Sequence, residues 1–208
     1  MLKKGIFITF EGIDGSGKST QLVKAAQYLE EKGISCMQTR DPGGTELGLQ
    51  LRNILLNHTG KIYPFCELFL YLADRAQHVD EKIIPAINSG KAVLCDRFID
   101  STIAYQGYAR GLNPEEITTL NNMVTHSILP DLTLLYDIDP AISLTRIGRS
   151  KDRLESESLC FHSKVREGYL EQSRQHPARI RVINANQPLE EVFKDTLKFL
   201  EEFLSQRI

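Results

Sequence analysis

The chain has 208 residues, enough for one domain with a sizeable core and too few to expect two. A hydrophobic content of 41%, a charged content of 25% and a net charge of −2 are those of an ordinary soluble protein. They disfavour duplex nucleic acid or an anionic membrane as a partner, since both select a basic balance, but leave small anionic ligands open, which need only local cations.

In chain order, the apolar run at 6–10 predicts a strand that flows into a glycine loop, not a signal peptide. The loop GIDGSGKS at 12–19 matches GxxxxGK[ST] between a strand and a helix. Its glycines let backbone N–H groups converge on phosphate oxygens, and the helix start adds its positive end. Gly12, Ile13, Asp14, Gly15, Ser16, Gly17, Lys18, Ser19 and Thr20 are therefore the predicted triphosphate site, with Lys18 on the β- and γ-phosphates and the Ser19 hydroxyl on Mg²⁺. Asp14 is unusual where an anion should sit. It reads either as a carboxylate that stabilises the loop or as an acid holding an acceptor hydroxyl or a water on Mg²⁺.

Leu22, Ala25, Ala26 and Leu29 then repeat at helical spacing, with Gly33 as a stop signal. A second strand at 35–39 ends in TRDPGGTE, which carries Arg40, and Arg52 follows on the next helical pattern. Tyr71 and Arg75 lie one helical turn apart, a pair that can stack on a base and bond its edge. A third strand at 92–95 runs into Asp96 and Arg97. Asp96 occupies the place of a second metal-positioning acid, and the planar fork of Arg97 suits bridging donor and acceptor oxygens.

Asn113-Pro114-Glu115-Glu116 and Asp139-Pro140 are helix starts, and a fourth strand at 132–137 lies between them. The basic run RIGRSKDR at 146–153 follows, then a fifth strand at 180–183. A last helix carries a stripe of Leu189, Val192, Phe193, Leu197, Leu200 and Leu204. No apolar stretch approaches the ~20 residues of a bilayer span. The four cysteines form no CxxC and the five histidines no zinc spacing. Cys36 and Cys95 lie in strand-like runs, which predicts buried, reduced thiols and a cytoplasmic setting. Alternating strands and helices predict an α/β, doubly wound, parallel five-stranded sheet with helices on both faces, and ligands beyond the carboxyl ends of its strands.

The stretch LCDRFIDSTIAYQ at 94–106 resembles the signature of thymidylate kinases. FEGIDGSGKST, TRDPGGTELG, LADRAQH and NANQPLEEV are similar to the bacterial form of that family, in the same order over nearly the whole chain. The resemblance implies a single P-loop nucleotide kinase domain over 1–208, a homodimer, and Mg²⁺-dependent transfer of the γ-phosphoryl of ATP to dTMP. By position it implies that Lys18 and the loop amides hold ATP, that Arg97 bridges the two phosphates, and that Arg40 and Arg52 lie around the dTMP phosphate. It implies that Arg75 bonds the thymine edge, that Thr102 and Gln106 contact the base, and that Tyr105 crowds the sugar 2′ position. Asp14 and Asp41 match acidic positions near sugar and phosphate. Tyr71 stands where the family usually has a stacking Phe. Another pyrimidine nucleotide or nucleoside kinase is the alternative. A GTPase-like switch is disfavoured because the chain has no NKxD.

Some members of the family carry a catalytic arginine inside the phosphate loop. Here the loop has no base besides Lys18, so the missing charge must come from elsewhere. The run at 146–153 resembles the family's basic lid, at about 146–156. Arg153 is its first candidate for the transferred phosphoryl and Arg149 its second.

Overall fold

The computed structural model describes residues 5–148 and 152–207. Its sheet has five parallel strands, β1 (Ile6–Glu11), β2 (Cys36–Arg40), β3 (Ala92–Asp96), β4 (Leu132–Asp137) and β5 (Ile180–Asn184). Their order is β2-β3-β1-β4-β5. The sheet matches the fold class expected from the sequence, and each predicted strand lies within a residue or so of an observed one. The register sets Phe10 and Arg40 level with Asp96. The loops after β1, β2 and β3 therefore open together at one edge.

Side-chain alternation sorts the strands onto two apolar layers. Ile6, Ile8 and Phe10 of β1 and Leu94 of β3 point to one layer, shared with Leu22, Ala25, Ala26 and Leu29 of α1 (Lys18–Glu31). Phe7, Val93 and Cys95 point to the other, with Val79, Ile83 and Phe98. Each such buried side chain contributes about 1.5–3 kcal/mol. β1 and β3 are covered on both faces; β2, at the edge, is half open. That position explains why Cys36 is only half-buried while Cys95 is buried as expected; all four thiols are free.

The helices between strands start where the sequence signals placed them. Asn113 caps α6 (Pro114–Val124) by accepting from Glu115 N, and Asp139 caps α7 (Pro140–Thr145) by accepting from Ala141 N. The other helices are α2 (Glu46–Asn57), α3 (Pro64–His78), α4 (Ile84–Asn88), α5 (Ile99–Thr102), α8 (Leu159–Gln175) and α9 (Leu189–Ser205). Wider π-helical turns join α3 to α4 and carry α5 on to Ala109. In α9 the buried line is Val192, Thr196, Leu200 and Leu204, while Leu189 is exposed. Thr196 was absent from the expected stripe. It is tolerated in the core because its hydroxyl is 3.0 Å from that of Tyr136.

Candidate active site

β1 ends at Glu11 and α1 begins at Lys18, so the glycine loop spans the gap between strand and helix. Gly12 has φ +138° and Gly15 φ +80°. A Cβ at Gly12 would lie 2.6 Å from the Tyr136 carbonyl, and one at Gly15 would collide with that of Ser143. The turn thus demands glycine on two counts. The Ser143 hydroxyl donates to the Asp14 carbonyl and ties the loop to α7. A cavity of about 990 Å³ opens over Gly15, Gly17, Lys18, Ser19 and Thr20, faced by Arg146 and Gly148. Ile13 faces the apolar core, and the buried Ser16 hydroxyl has no hydrogen-bond partner among the described residues.

Lys18 Nζ stands 3.6 Å from Asp14 and 3.9 Å from Asp96. At that distance it feels their charge without spending its donors on them. The Ser19 hydroxyl donates to Asp96 Oδ2. A hydroxyl and a carboxylate brought together beside a phosphate loop are the oxygen donors that Mg²⁺ prefers.

Arg97 lines a second cavity and touches Asp14, which lines both. Its backbone sits at φ 70°, held by Arg97 N on the Phe10 carbonyl at 3.0 Å and by Phe98 N on Glu11 Oε1 at 2.7 Å. A left-handed arginine costs about 1–2 kcal/mol, which the two flanking bonds must outweigh. The twist aims its guanidinium at Asp14 (2.8 Å) and the hydroxyls of Tyr105 (3.1 Å) and Tyr169 (3.0 Å). Burial pushes the Asp14 carboxyl up, but Arg97 and then Lys18 outweigh it and hold the acid well below the usual carboxylate range. Asp14 is therefore ionised at neutral pH and faces both cavities.

The second cavity is lined by Arg97, Tyr71, Arg75, Thr102, Tyr105 and Gln106, together with Arg52 and Asp41. Arg52 donates to the Pro42 carbonyl at 2.9 Å. Burial, then the charges of Arg40 and Arg97, push its guanidinium down from the ordinary value. Such crowding of cations is what an incoming anion relieves.

Five candidates sit differently from what the resemblance implied. Arg40 is exposed and lines an outer groove with Ser19, Gly43 and Asp96, not the inner cavity. Arg75 borders the cavity, yet all its N–H groups already have acceptors: both oxygens of Asp41 at 2.8–3.0 Å, Thr102 and Asn121 at 2.6 Å, and the Phe98 carbonyl. A base edge would have to share these donors. Asp41 is accordingly a buried anchor for Arg75, and Thr102 is one of its acceptors. Gln106 likewise donates to Glu67 at 2.9 Å.

Arg153, the first lid candidate, sits on the acceptor side. Its backbone N–H and its Nε donate to the carbonyls of Leu56 and Leu55, and its Nη2 lies 2.6 Å from buried Glu67. It fastens the lid segment to the acceptor side, while Asp152 and Leu154 close that cavity. A distant backbone pair and a buried acid win over the phosphate loop, a competition that local spacing does not reveal. Arg149 lies outside the described residues. Among the described residues, Arg146 is the arginine of this run that faces the phosphate loop, with Nη1 on the Ala185 carbonyl at 3.1 Å. Arg153→Ala is therefore expected to raise the KM for the acceptor by about tenfold with kcat little changed. Steady-state kinetics check this; a fall in kcat of orders of magnitude at unchanged KM would mean that Arg153 leaves this position during turnover.

Glu11, Ser101, Tyr169, Glu67 and Arg110 were not singled out in the sequence. Glu67 collects Gln106, Arg110 and Arg153, and Arg110 reaches on to Glu157 at 2.7 Å. An acid closing the apolar run of β1 was a legible hint for Glu11. Tyr169 had none, because it comes from α8, 72 positions from Arg97.

The family model described as thymidylate kinase matches residues 10–196. A thymidylate kinase of Nitratidesulfovibrio vulgaris is 48% identical over 210 residues, covering 96% of this chain and 98% of that protein. One of Maridesulfovibrio salexigens is 50% identical over 200 residues, covering 91% and 92%. Among solved structures, the crystal structure of thymidylate kinase from Ehrlichia chaffeensis superposes with a TM-score of 0.79 at 37% identity, covering 95% of this chain and 98% of that one.

Proposed function

The chain belongs to the thymidylate kinase family and is an ATP-dependent nucleoside monophosphate kinase that phosphorylates dTMP; from that premise we propose how its residues divide the work. The glycine loop and Lys18 take the ATP phosphates in the larger cavity, and the inner cavity takes dTMP. Arg97 spans the two. The observation that carries this reading is that one half-buried guanidinium contacts Asp14, which faces both cavities, while lining the acceptor cavity itself.

The acceptor phosphate needs no general base, because it arrives ionised. An oxygen of dTMP forms the new bond to the γ-phosphorus as the bond to the β-bridging oxygen breaks, and ADP leaves. The protein's task is alignment and neutralisation of the charge spread over the transferred oxygens. Arg97 and Lys18 supply that charge, and Arg52, with Arg40 behind it, holds the dTMP phosphate. Asp14 fixes Arg97 and Lys18 and stands near the sugar. Tyr71 flanks the base; Thr102 and Gln106 face it, and Arg75 holds that wall from behind. Tyr105, buried with its hydroxyl on Arg97, would crowd a ribose 2′-OH. Ser19 and Asp96 would hold Mg²⁺, which would supply positive charge beside the phosphates. Arg146 and Arg149 are the lid arginines that would approach the ATP side. The whole of 1–208 acts as one catalytic domain, with the lid at about 146–156.

No described helix is long and apolar enough to cross a membrane. Cytoplasmic residence, where nucleotides are available, follows from the proposed reaction. Phe65 and Phe69 on α3 and Met123 on α6 are 54%, 55% and 69% exposed; this is the surface we assign to a homodimer.

The test is ADP production with ATP–Mg²⁺ and dTMP, dUMP, UMP, dCMP, dGMP or thymidine. A kcat/KM for dTMP about 10²-fold above that for UMP is expected. Equal turnover of UMP would remove the role given to Tyr105.

A further inference from the structure

Glu11 ends β1 with its carboxyl group fully buried, and the transfer just described makes no use of it. Its Oε1 accepts the Phe98 backbone N–H at 2.7 Å. Its Oε2 lies 2.7 Å from Ser101 Oγ and 2.9 Å from the Tyr169 hydroxyl, and those two hydroxyls are 2.6 Å apart. The same hydroxyls face Arg97 Nη1, at 3.0 Å for Tyr169 and 3.4 Å for Ser101. One carboxyl group thus holds both halves of the Arg97 arrangement: the turn that sets its backbone at φ 70° and the hydroxyls on which its side chain rests.

We propose that Glu11 is a positioning residue for phosphoryl transfer, that it holds Arg97 between the reacting phosphates through Phe98, Ser101 and Tyr169, and that it does so in its protonated form. The proton count carries the last point. Three oxygens stand in a triangle with every edge at hydrogen-bond distance, and the two hydroxyls supply only two protons. A third proton on Glu11 closes the ring, and Tyr169 can then also accept from Arg97. An ionised Glu11 would leave the 2.6 Å edge between Ser101 and Tyr169 without a proton. It would also draw the Arg97 guanidinium back from the phosphates.

The surroundings agree. Burial, and then the charge of Asp100, push the Glu11 carboxyl up to about 7, against the pull of Ser101, Arg97 and Tyr169. Asp100 comes from α5 and is itself clamped by Arg179 at 2.7–2.8 Å. Arg75 from α3 also faces this region, but it is paired with Asp41, and Cys95 of β3 is held neutral by burial. No free cation among the described residues is left to hold Glu11 ionised.

Glu11→Ala is expected to lower kcat by about 10- to 100-fold while the KM values for ATP and dTMP stay within about threefold. Glu11→Gln, a neutral isostere, is expected to recover most of that kcat near pH 6.5. It is also expected to lack the fall in kcat that the wild type shows as pH rises through about 7. The dTMP phosphate ionises in the same range. That limb is common to both proteins, so the difference between the two profiles is the readout. A kcat as low in Glu11→Gln as in Glu11→Ala, or identical pH profiles in Glu11→Gln and wild type, would overturn the proposal. If Glu11→Ala does not fold, Tyr169→Phe tests the same link: a loss of about tenfold in kcat supports it and a wild-type kcat overturns it. The inference rests on Arg97 as the bridging cation. Arg97→Ala with transfer intact would sink that reading, whereas a dead Arg97→Ala beside a fully active Tyr169→Phe would sink only this one.

Discussion

Arg97→Ala is expected to lower kcat by about 10³- to 10⁵-fold and to change ATP affinity by less than about threefold. The reason is where the charge stands. Arg97 touches Asp14 at 2.8 Å and lines the acceptor cavity, while the nucleotide-side contacts are left to the loop amides and Lys18. Its side chain is only 14% exposed, so it acts on phosphate oxygens with reduced screening by water. The alanine would inherit φ 70° without a new strain, because the wild-type arginine already bears it. Arg97→Lys is expected to recover little, since one ammonium cannot span the contacts to Asp14, Tyr105 and Tyr169 that the planar fork makes together. Turnover at saturating dTMP, paired with calorimetric titration of ATP, reads both numbers. Loss of ATP binding would move Arg97 to the nucleotide cavity, and a kcat within tenfold of wild type would remove it from the transfer step.

Lys18→Ala should act on ATP affinity and on rate together, with kcat/KM for ATP lower by at least about 10³-fold. Lys18 is nearly buried, and Asp14 and Asp96 stand 3.6 and 3.9 Å from its ammonium. They set opposite charge beside it at distances that leave its donors to the phosphates. Without it, Asp96 loses the cation 3.9 Å away and Asp14 is left to Arg97 as the polyanion enters. The acceptor cavity does not include Lys18, so dTMP affinity should stay near wild type. Parallel loss of ATP and dTMP binding would mean that the two cavities do not work as separate seats.

The legible part of the molecule is the part governed by neighbours in the chain. The strand at Ile6–Glu11 shows as an apolar run, and the turn after it shows in glycines that φ +138° and φ +80° require. The helix starts at Asn113 and Asp139 show because a cap and its amide are two residues apart. Even the α/β layering is local in origin, since it follows from strands and helices alternating at short range. The groups after β1, β2 and β3 come together because parallel strands share one carboxyl edge.

What spacing could not supply is the competition among partners far apart in sequence. Arg153 and Arg146 look equivalent in a basic run, but one meets Glu67 and the Leu55 carbonyl while the other faces the phosphate loop. Arg75 reads as a free guanidinium until Asp41, Thr102, Asn121 and Phe98 are folded around it. Glu11 reads as an ordinary acid until α5 and α8 seal it from water and surround it with hydroxyls. By itself the sequence determined the family, the sheet and the phosphate loop, because each is written in contiguous residue types. Only the tertiary structure decided which cations are already paired and which acids are sealed from water. A charge's availability depends on the partners and the desolvation that distant segments bring to it.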